Sequence, residues 1–147
     1  MTETHYVCGF LFSSERSQVV LIEKNRPDFQ AGRLNGVGGK VEPGETRVSA
    51  MVREFEEETG IKTEHRDWTE FCYLYDGPVA VTFFKARSPA WVDVRTTTDE
   101  RVVRADPADL PDNVLPNLRW LIPMAMNSSV VDAEVVLGDV MQRLAAA

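Results

Sequence analysis

Glu54, Glu57 and Glu58 stand at i, i+3 and i+4, so a helix drawn through them carries three carboxylates on one face, with Glu56 turned elsewhere. Like charges at this spacing repel by a few tenths of a kcal/mol per pair. Gly60 then places them in the last helical turn, where the helix dipole disfavours anions. A divalent cation reverses both terms. Clustered carboxylates are hard oxygen donors suited to Mg²⁺ or Mn²⁺, and no Cys or His lies beside them to suggest zinc. Arg53, next to the first glutamate, can orient a carboxylate or contact phosphate. The glycine-rich stretch just before the helix lets backbone groups approach an ion or a phosphate closely. Together these features point to metal-assisted phosphoryl or pyrophosphoryl hydrolysis, without the G-x-x-x-x-G-K-[ST] order of a P-loop. Taken singly, Glu56, Glu57 and Glu58 also fit a solvated helix face, and Arg53 with Glu45 a surface ion pair. The joint spacing from Gly39 to Ile61 is what separates the two readings.

The elements that must position these residues follow from periodicity. Residues 6–12 and 19–24 are rich in β-branched and aromatic side chains and predict two strands joined as a hairpin. Pro27, Gly32, Gly36, Gly38, Gly39, Pro43 and Gly44 crowd residues 25–44, which predicts a shaped loop. Val48, Met51, Val52 and Phe55 form one apolar stripe and predict a helix over 46–59, stopped by Gly60. Strands over 71–75 and 79–86 meet at an Asp76-Gly77-Pro78 turn, and a weaker strand spans 100–104. Leu118, Leu121, Ile122 and Ala125 predict a second helix over 118–126, with Pro123 inside it and Trp120 in the core. Residues 130–137 fit either strand or helix. This order predicts an α/β (α+β) layered sandwich around a mixed sheet, because several strands are joined too closely for parallel crossovers.

A length of 147 residues suits a single domain over 1–147. The net charge of −7 disfavours binding to a nucleic-acid duplex or an anionic membrane, yet six glutamates and three basic residues between Lys40 and Gly60 contribute −3 of it. Charge concentrated in this way does not exclude small phosphate esters that arrive with a cation. No apolar run approaches the roughly 20 residues of a spanning helix, and residues 1–5 lack a basic region feeding a hydrophobic one, so a soluble, cytoplasmic chain is expected. Cys8 and Cys72 form no C-x-x-C pair and read as buried, reduced thiols.

Gly39, five residues, Glu45, seven residues, Arg53-Glu54, an apolar residue, one residue, Glu57-Glu58, one residue, then Gly60-Ile61 resembles the Nudix box at every fixed position, with Phe55 where the family usually has Leu, Ile or Val. The resemblance implies a Nudix-type α/β/α sandwich and Mg²⁺-dependent hydrolysis of a diphosphate linked to another group, with Mn²⁺ a possible substitute. It implies metal ligation by Glu54, Glu57, Glu58 and the Gly38 carbonyl, joined by Glu100 at the start of a downstream strand. Glu54 is the expected base, with Glu100 as the alternative. Arg53 and Glu57 share the catalytic role, and Glu45 supports Arg53.

Residues 29–40 are similar to the base-facing segment of the MutT-type and mammalian oxidised-purine nucleoside triphosphatases, with Leu34 where those have Trp. Leu115 and Leu118 likewise replace aromatic or acidic residues. Substrate contacts are expected from Phe29, Asn35, Gly39, Lys40 and Asn117. Phe29 and Asn35 also fit a turn, Asn117 also fits a helix cap, Lys40 a solvated side chain, and Phe71 with Tyr73 either base stacking or core. The implied activity is hydrolysis of a nucleoside triphosphate, including an oxidised purine such as 8-oxo-dGTP, to monophosphate and pyrophosphate, by a monomer or homodimer. Two rivals are hydrolysis of another nucleoside diphosphate derivative, such as ADP-ribose or a dinucleoside polyphosphate, and a non-catalytic nucleotide-binding module. Mutually repelling glutamates argue against the module.

Overall fold

A computed structural model describes residues 4–130 and 132–137. The ends of the expected single domain, residues 1–3 and 138–147, lie outside them, as does residue 131 of the ambiguous tail. The sheet contains β1 (Thr4–Phe12), β2 (Val19–Glu23), β3 (Leu34–Asn35), β4 (Val37–Lys40), β5 (Thr69–Asp76), β6 (Val79–Arg87), β7 (Val102–Ala105) and β8 (Ala133–Leu137). Among the described residues the α-helices are α1 (Arg47–Thr59) and α2 (Leu118–Met126). The main strand order is β3-β2-β1-β6-β5-β8, with β4 on β1 and β7 on β2.

The sheet is mixed: β1 runs parallel to β6 and β8 parallel to β5, while the other pairs are antiparallel. The tail is thus a strand across Ala133–Leu137, in register with Cys72–Asp76. The expected hairpin is present, closed by the Ser13 N–H on the Gln18 carbonyl at 2.9 Å.

Alternation along the strands sends side chains to two cores. Val7, Leu11, Val20, Ile22 and Phe84 pack with Met51 and Phe55 of α1. Cys8, Phe10, Phe12, Val19, Leu21 and Phe83 pack with Leu118, Leu121 and Ile122 of α2. A sheet covered on both faces by helices is an α/β/α sandwich. The expected thiols Cys8 and Cys72 are free and buried, and burial pushes them up to about 12 and about 11 respectively.

Two expectations are corrected. The glycine-rich stretch is not a continuous loop, since residues 34–40 cross from β2 to β1 as two short strands, and glycine serves close packing there. A Cβ on Gly38 would stand 1.9 Å from the Val7 carbonyl oxygen, and one on Gly36 2.6 Å from the Cys8 sulfur. Trp120 is 37% exposed rather than core, because the buried stripe of α2 is Leu118, Leu121, Ile122 and Ala125. Of the two readings of Phe71, core is the one observed, at 1% exposure.

The buried stripe of α1 is Ala50, Met51, Phe55 and Thr59, with Val48 and Val52 at its margins. Thr46 caps the helix by accepting from the Ser49 N–H, and Gly60 ends it at φ 78°. Among the described residues no helix is long and apolar enough to cross a membrane.

Candidate active site

Packing the Ala50–Met51–Phe55 stripe on the sheet turns the Arg53, Glu54 and Glu57 side of α1 toward β4 and the segment 40–45. Arg53 is the hub. Its Nε and Nη2 form a fork on Glu45 Oε2 and Oε1 at 2.7 and 2.9 Å, and Nη1 donates to Glu54 Oε1 at 2.8 Å. Glu57 lies 3.3 Å away at i+4, and the Lys40 carbonyl accepts from Nη2 at 3.1 Å. The fork holds Glu45 below the usual carboxylate range and Arg53 above its own ordinary value.

Glu54 reaches the sheet because β4 offers no side chain beneath it. A Cβ on Gly39 would fall 2.4 Å from Glu54 Oε1, so the bare glycine is what lets this carboxylate lie on the strand. Burial raises the proton affinity of Glu54, opposed by the Arg53 hydrogen bond. Gly38 precedes it in β4, paired with Cys8.

Glu58 faces the other way, toward the segment 96–100, where the Thr98 hydroxyl donates to Oε2 at 3.3 Å. Burial raises its proton affinity, and Glu100 adds to the effect. Glu100 lies in the bend before β7, two residues ahead of the strand rather than at its start. It is buried at 4% exposure, takes an ion pair from Lys24 at 3.0 Å and accepts from the Asn25 N–H at 2.6 Å. Neighbouring Asp99 is held by Arg26 and by the Asn25 amide.

The structure thus gathers five electrostatically connected carboxylates, Glu45, Glu54, Glu57, Glu58 and Glu100, around two cations, Arg53 and Lys24. Half-buried oxygen donors with an uncompensated negative charge fit a hard divalent ion. Glu54 and Glu57 are turned to Arg53 and Glu58 to Thr98. Among the described residues no three His, Cys, Asp or Glu side chains are already gathered as a ligand cluster. Lys24 and Thr98 were not foreseen from the sequence. Lys24 reads there only as a strand residue, and it meets Glu100 from 76 positions away.

On the α2 side, residues 113–115 pair with Leu34: Leu34 N–H donates to the Asn113 carbonyl and Leu115 N–H to the Leu34 carbonyl. This places Asn117 on the chain segment flanking Asn35. Asn35 lies in β3 rather than in a turn; its Oδ1 accepts from the Gly36 N–H at 2.8 Å and faces the Cys8 sulfur. Asn117 stands at the N-cap of α2 in a helical backbone conformation and makes no side-chain cap bond. Phe29 projects from a short 3-10 turn at 73% exposure, and the Lys40 side chain is exposed.

The chain is similar to known proteins in sequence and in fold. A 34% identical stretch of 55 residues, 37% of this chain and 43% of the relative, matches 8-oxo-dGTP diphosphatase of Escherichia coli (strain K12). A 32% identical stretch of 87 residues, 59% of this chain and 23% of the relative, matches the human 8-oxo-dGDP phosphatase NUDT18. These matches span less than half the length of either curated relative. A solved MutT structure described for Aliivibrio salmonicida and Vibrio cholerae superimposes with TM-score 0.70 at 28% identity, covering 84% of this chain and 98% of that one. The MutT Nudix hydrolase of Burkholderia pseudomallei gives TM-score 0.70 at 22% identity over 86% and 100%. The NUDIX domain family model matches residues 3–136, and with the carboxylate helix and the sandwich already in place, the chain belongs to the NUDIX domain family.

Proposed function

We propose that this chain is a single-domain pyrophosphohydrolase that uses Mg²⁺, replaceable by Mn²⁺, to convert a nucleoside triphosphate into a nucleoside monophosphate and pyrophosphate. The observation that carries the proposal is the surplus of carboxylates over cations along α1, with Glu54 and Glu58 desolvated. Glu54, Glu57 and Glu58, with the Gly38 carbonyl and Glu100, would hold the ion. A bound Mg²⁺ lowers the pKa of its water and offsets the charge of the phosphate chain. Glu54 serves as the base: its raised proton affinity suits it to take a proton, and Arg53 fixes its orientation. To hold an ion, Glu57 would have to leave Arg53 and Glu100 to leave Lys24, and Lys40 and Arg53 would serve as cations for phosphate oxygens.

Two named relatives act on oxidised deoxyguanosine phosphates, which favours an oxidised purine as the base. Asn35, the uncapped Asn117 and the exposed ring of Phe29 are the groups assigned to it. The human relative is named for a diphosphate, so 8-oxo-dGDP is the second reading. Purified protein, monomer or homodimer, is to be tested with Mg²⁺ on dGTP, 8-oxo-dGTP, 8-oxo-dGDP, ADP-ribose and a dinucleoside polyphosphate, with products resolved chromatographically. Pyrophosphate release from the triphosphates supports the proposal. Tight nucleotide binding with no Mg²⁺-dependent turnover across the panel replaces it with a binding module.

A further inference from the structure

A cavity of about 220 Å³ opens at the far end of the central strands, lined by Phe12, Arg16, Lys85, Arg87, Asp67 and Met126 among others. It is separate from the carboxylate helix: Gly38 pairs with Cys8, and Phe12 lies four residues farther along β1, about 13 Å at the rise of a strand. In a chain of net charge −7, three cations meet here without a carboxylate partner. Among the described residues none of Arg16, Lys85 and Arg87 has an ion pair. The one acid in the lining, Asp67, uses its carboxylate to accept from the Glu64 N–H.

The fold holds two of these cations in place. The Arg16 Nη1 donates to the Met126 carbonyl at 2.9 Å, and Lys85 Nζ donates to the Ala125 carbonyl at 3.1 Å. Both cap the C-terminus of α2, whose partial charge of about −0.5 offsets only a fraction of theirs. Lys85 is further anchored over the Phe71 ring, 5.8 Å from its centroid. Arg16 adopts φ 60°, a conformation uncommon for a residue with a side chain. Arg16 and Lys85 each use one N–H, leaving several donors on Arg16 and two on Lys85, and Arg87 also lines the space. Burial and the neighbouring Arg16 depress the proton affinity of Lys85, the mark of positive charges held close together.

We propose that this cavity is a binding site for a small phosphate anion, orthophosphate or pyrophosphate, held by Lys85 and Arg16 and closed over by Arg87. The size sets the class. The space suits an ion of diphosphate size and lies below the roughly 300 Å³ at which pockets for drug-sized ligands begin. The site is independent of the hydrolytic assignment, since it shares no residue with it.

The test is titration of the intact, EDTA-treated protein with inorganic pyrophosphate and, separately, orthophosphate. Calorimetry reads the affinity and backbone amide shifts locate the ligand. Saturable binding by either, with shifts at residues 16, 67–69, 85–87 and 125–128, supports the site. Arg87→Gln removes a cation that makes no side-chain hydrogen bond among the described residues, and should weaken binding about three- to tenfold. Lys85→Gln should weaken it by about tenfold or more, as expected for loss of a charge-assisted hydrogen bond. Shifts confined to residues 38–58, no saturation at millimolar anion, or unchanged affinity in Arg87→Gln would overturn it.

Discussion

Replacing Arg53 with Met keeps the aliphatic stem and deletes the guanidinium that joins Glu45, Glu54 and Glu57. The side chains concerned are 24%, 16% and 12% exposed for Arg53, Glu45 and Glu54, which places the network between surface and interior. Breaking a fully buried pair costs about 3–5 kcal/mol and an exposed one under about 1, so a loss of about 2–3 kcal/mol is expected here. At about 2–4 °C per kcal/mol for a chain of this size, the melting temperature should fall roughly 5–10 °C. The cause is uncompensated carboxylate charge, so the loss should depend on pH. With Arg53 gone, Glu54 keeps its burial and loses the bond that opposed it, so its proton affinity rises further, and acidification neutralises it. The gap between variant and wild type should therefore narrow from about pH 7.5 to about pH 5. Mg²⁺ should stabilise the variant more than the wild type, because Glu54 and Glu57 are released to it. Urea unfolding at both pH values, with and without Mg²⁺, checks all three. A loss below about 0.5 kcal/mol, or one independent of pH, would refute the account of Arg53 as the hub.

Glu57→Gln should leave cation-free stability within about 0.5 kcal/mol of wild type, since it removes an exposed ion pair and a repulsion together, yet lower Mg²⁺-dependent turnover by about 10²-fold or more. Steady-state kinetics beside a melting curve reads both. Gly38→Ala should prevent normal folding, because the new methyl would meet the Val7 carbonyl 1.9 Å away, whereas Gly32→Ala, with nothing within 4 Å and φ 79°, should cost only about 1–2 kcal/mol of backbone strain. Soluble yield and circular dichroism separate the two. Glu54 and Glu58 have folded-state values above the ordinary carboxylate value, so the folded protein binds more protons than the unfolded chain in the window just above it. Their destabilising contribution is thus fully present at neutral pH and fades as pH falls through that window. The stabilisation by Mg²⁺ should shrink over the same range, as thermal melts across a pH series would show.

The carboxylate face of α1 is legible in sequence because it depends on one period within one element, with Thr46 and Gly60 marking its ends. The approach of β4 to that face is not. The signal that reads as a loop, glycine at 36, 38 and 39, records backbone contacts with Val7, Gly9 and the Glu54 carboxylate, partners supplied by other elements. Lys24 and Glu100 meet only because β7 pairs with β2, a tertiary fact with no local trace. Trp120 was misplaced because apolar type alone does not determine the angular position of a residue on a helix. Asn117 has the residue type of a cap and the position of one, yet its backbone is already helical.

The segment 34–40 acts as a ruler. Asn35 pairs with β2 and Gly39 with β1, so both ends are pinned by hydrogen bonds to the sheet, and four residues fix their separation at roughly 13 Å. Inserting one residue would turn the following strand over and point the bare side of Gly39 away from Glu54; inserting two would restore the facing but lengthen the gap by about 6.6 Å. The length of any ligand that reaches from Asn35 to the α1 carboxylates is therefore gauged by covalent backbone geometry, and changing it requires changing the register of the sheet.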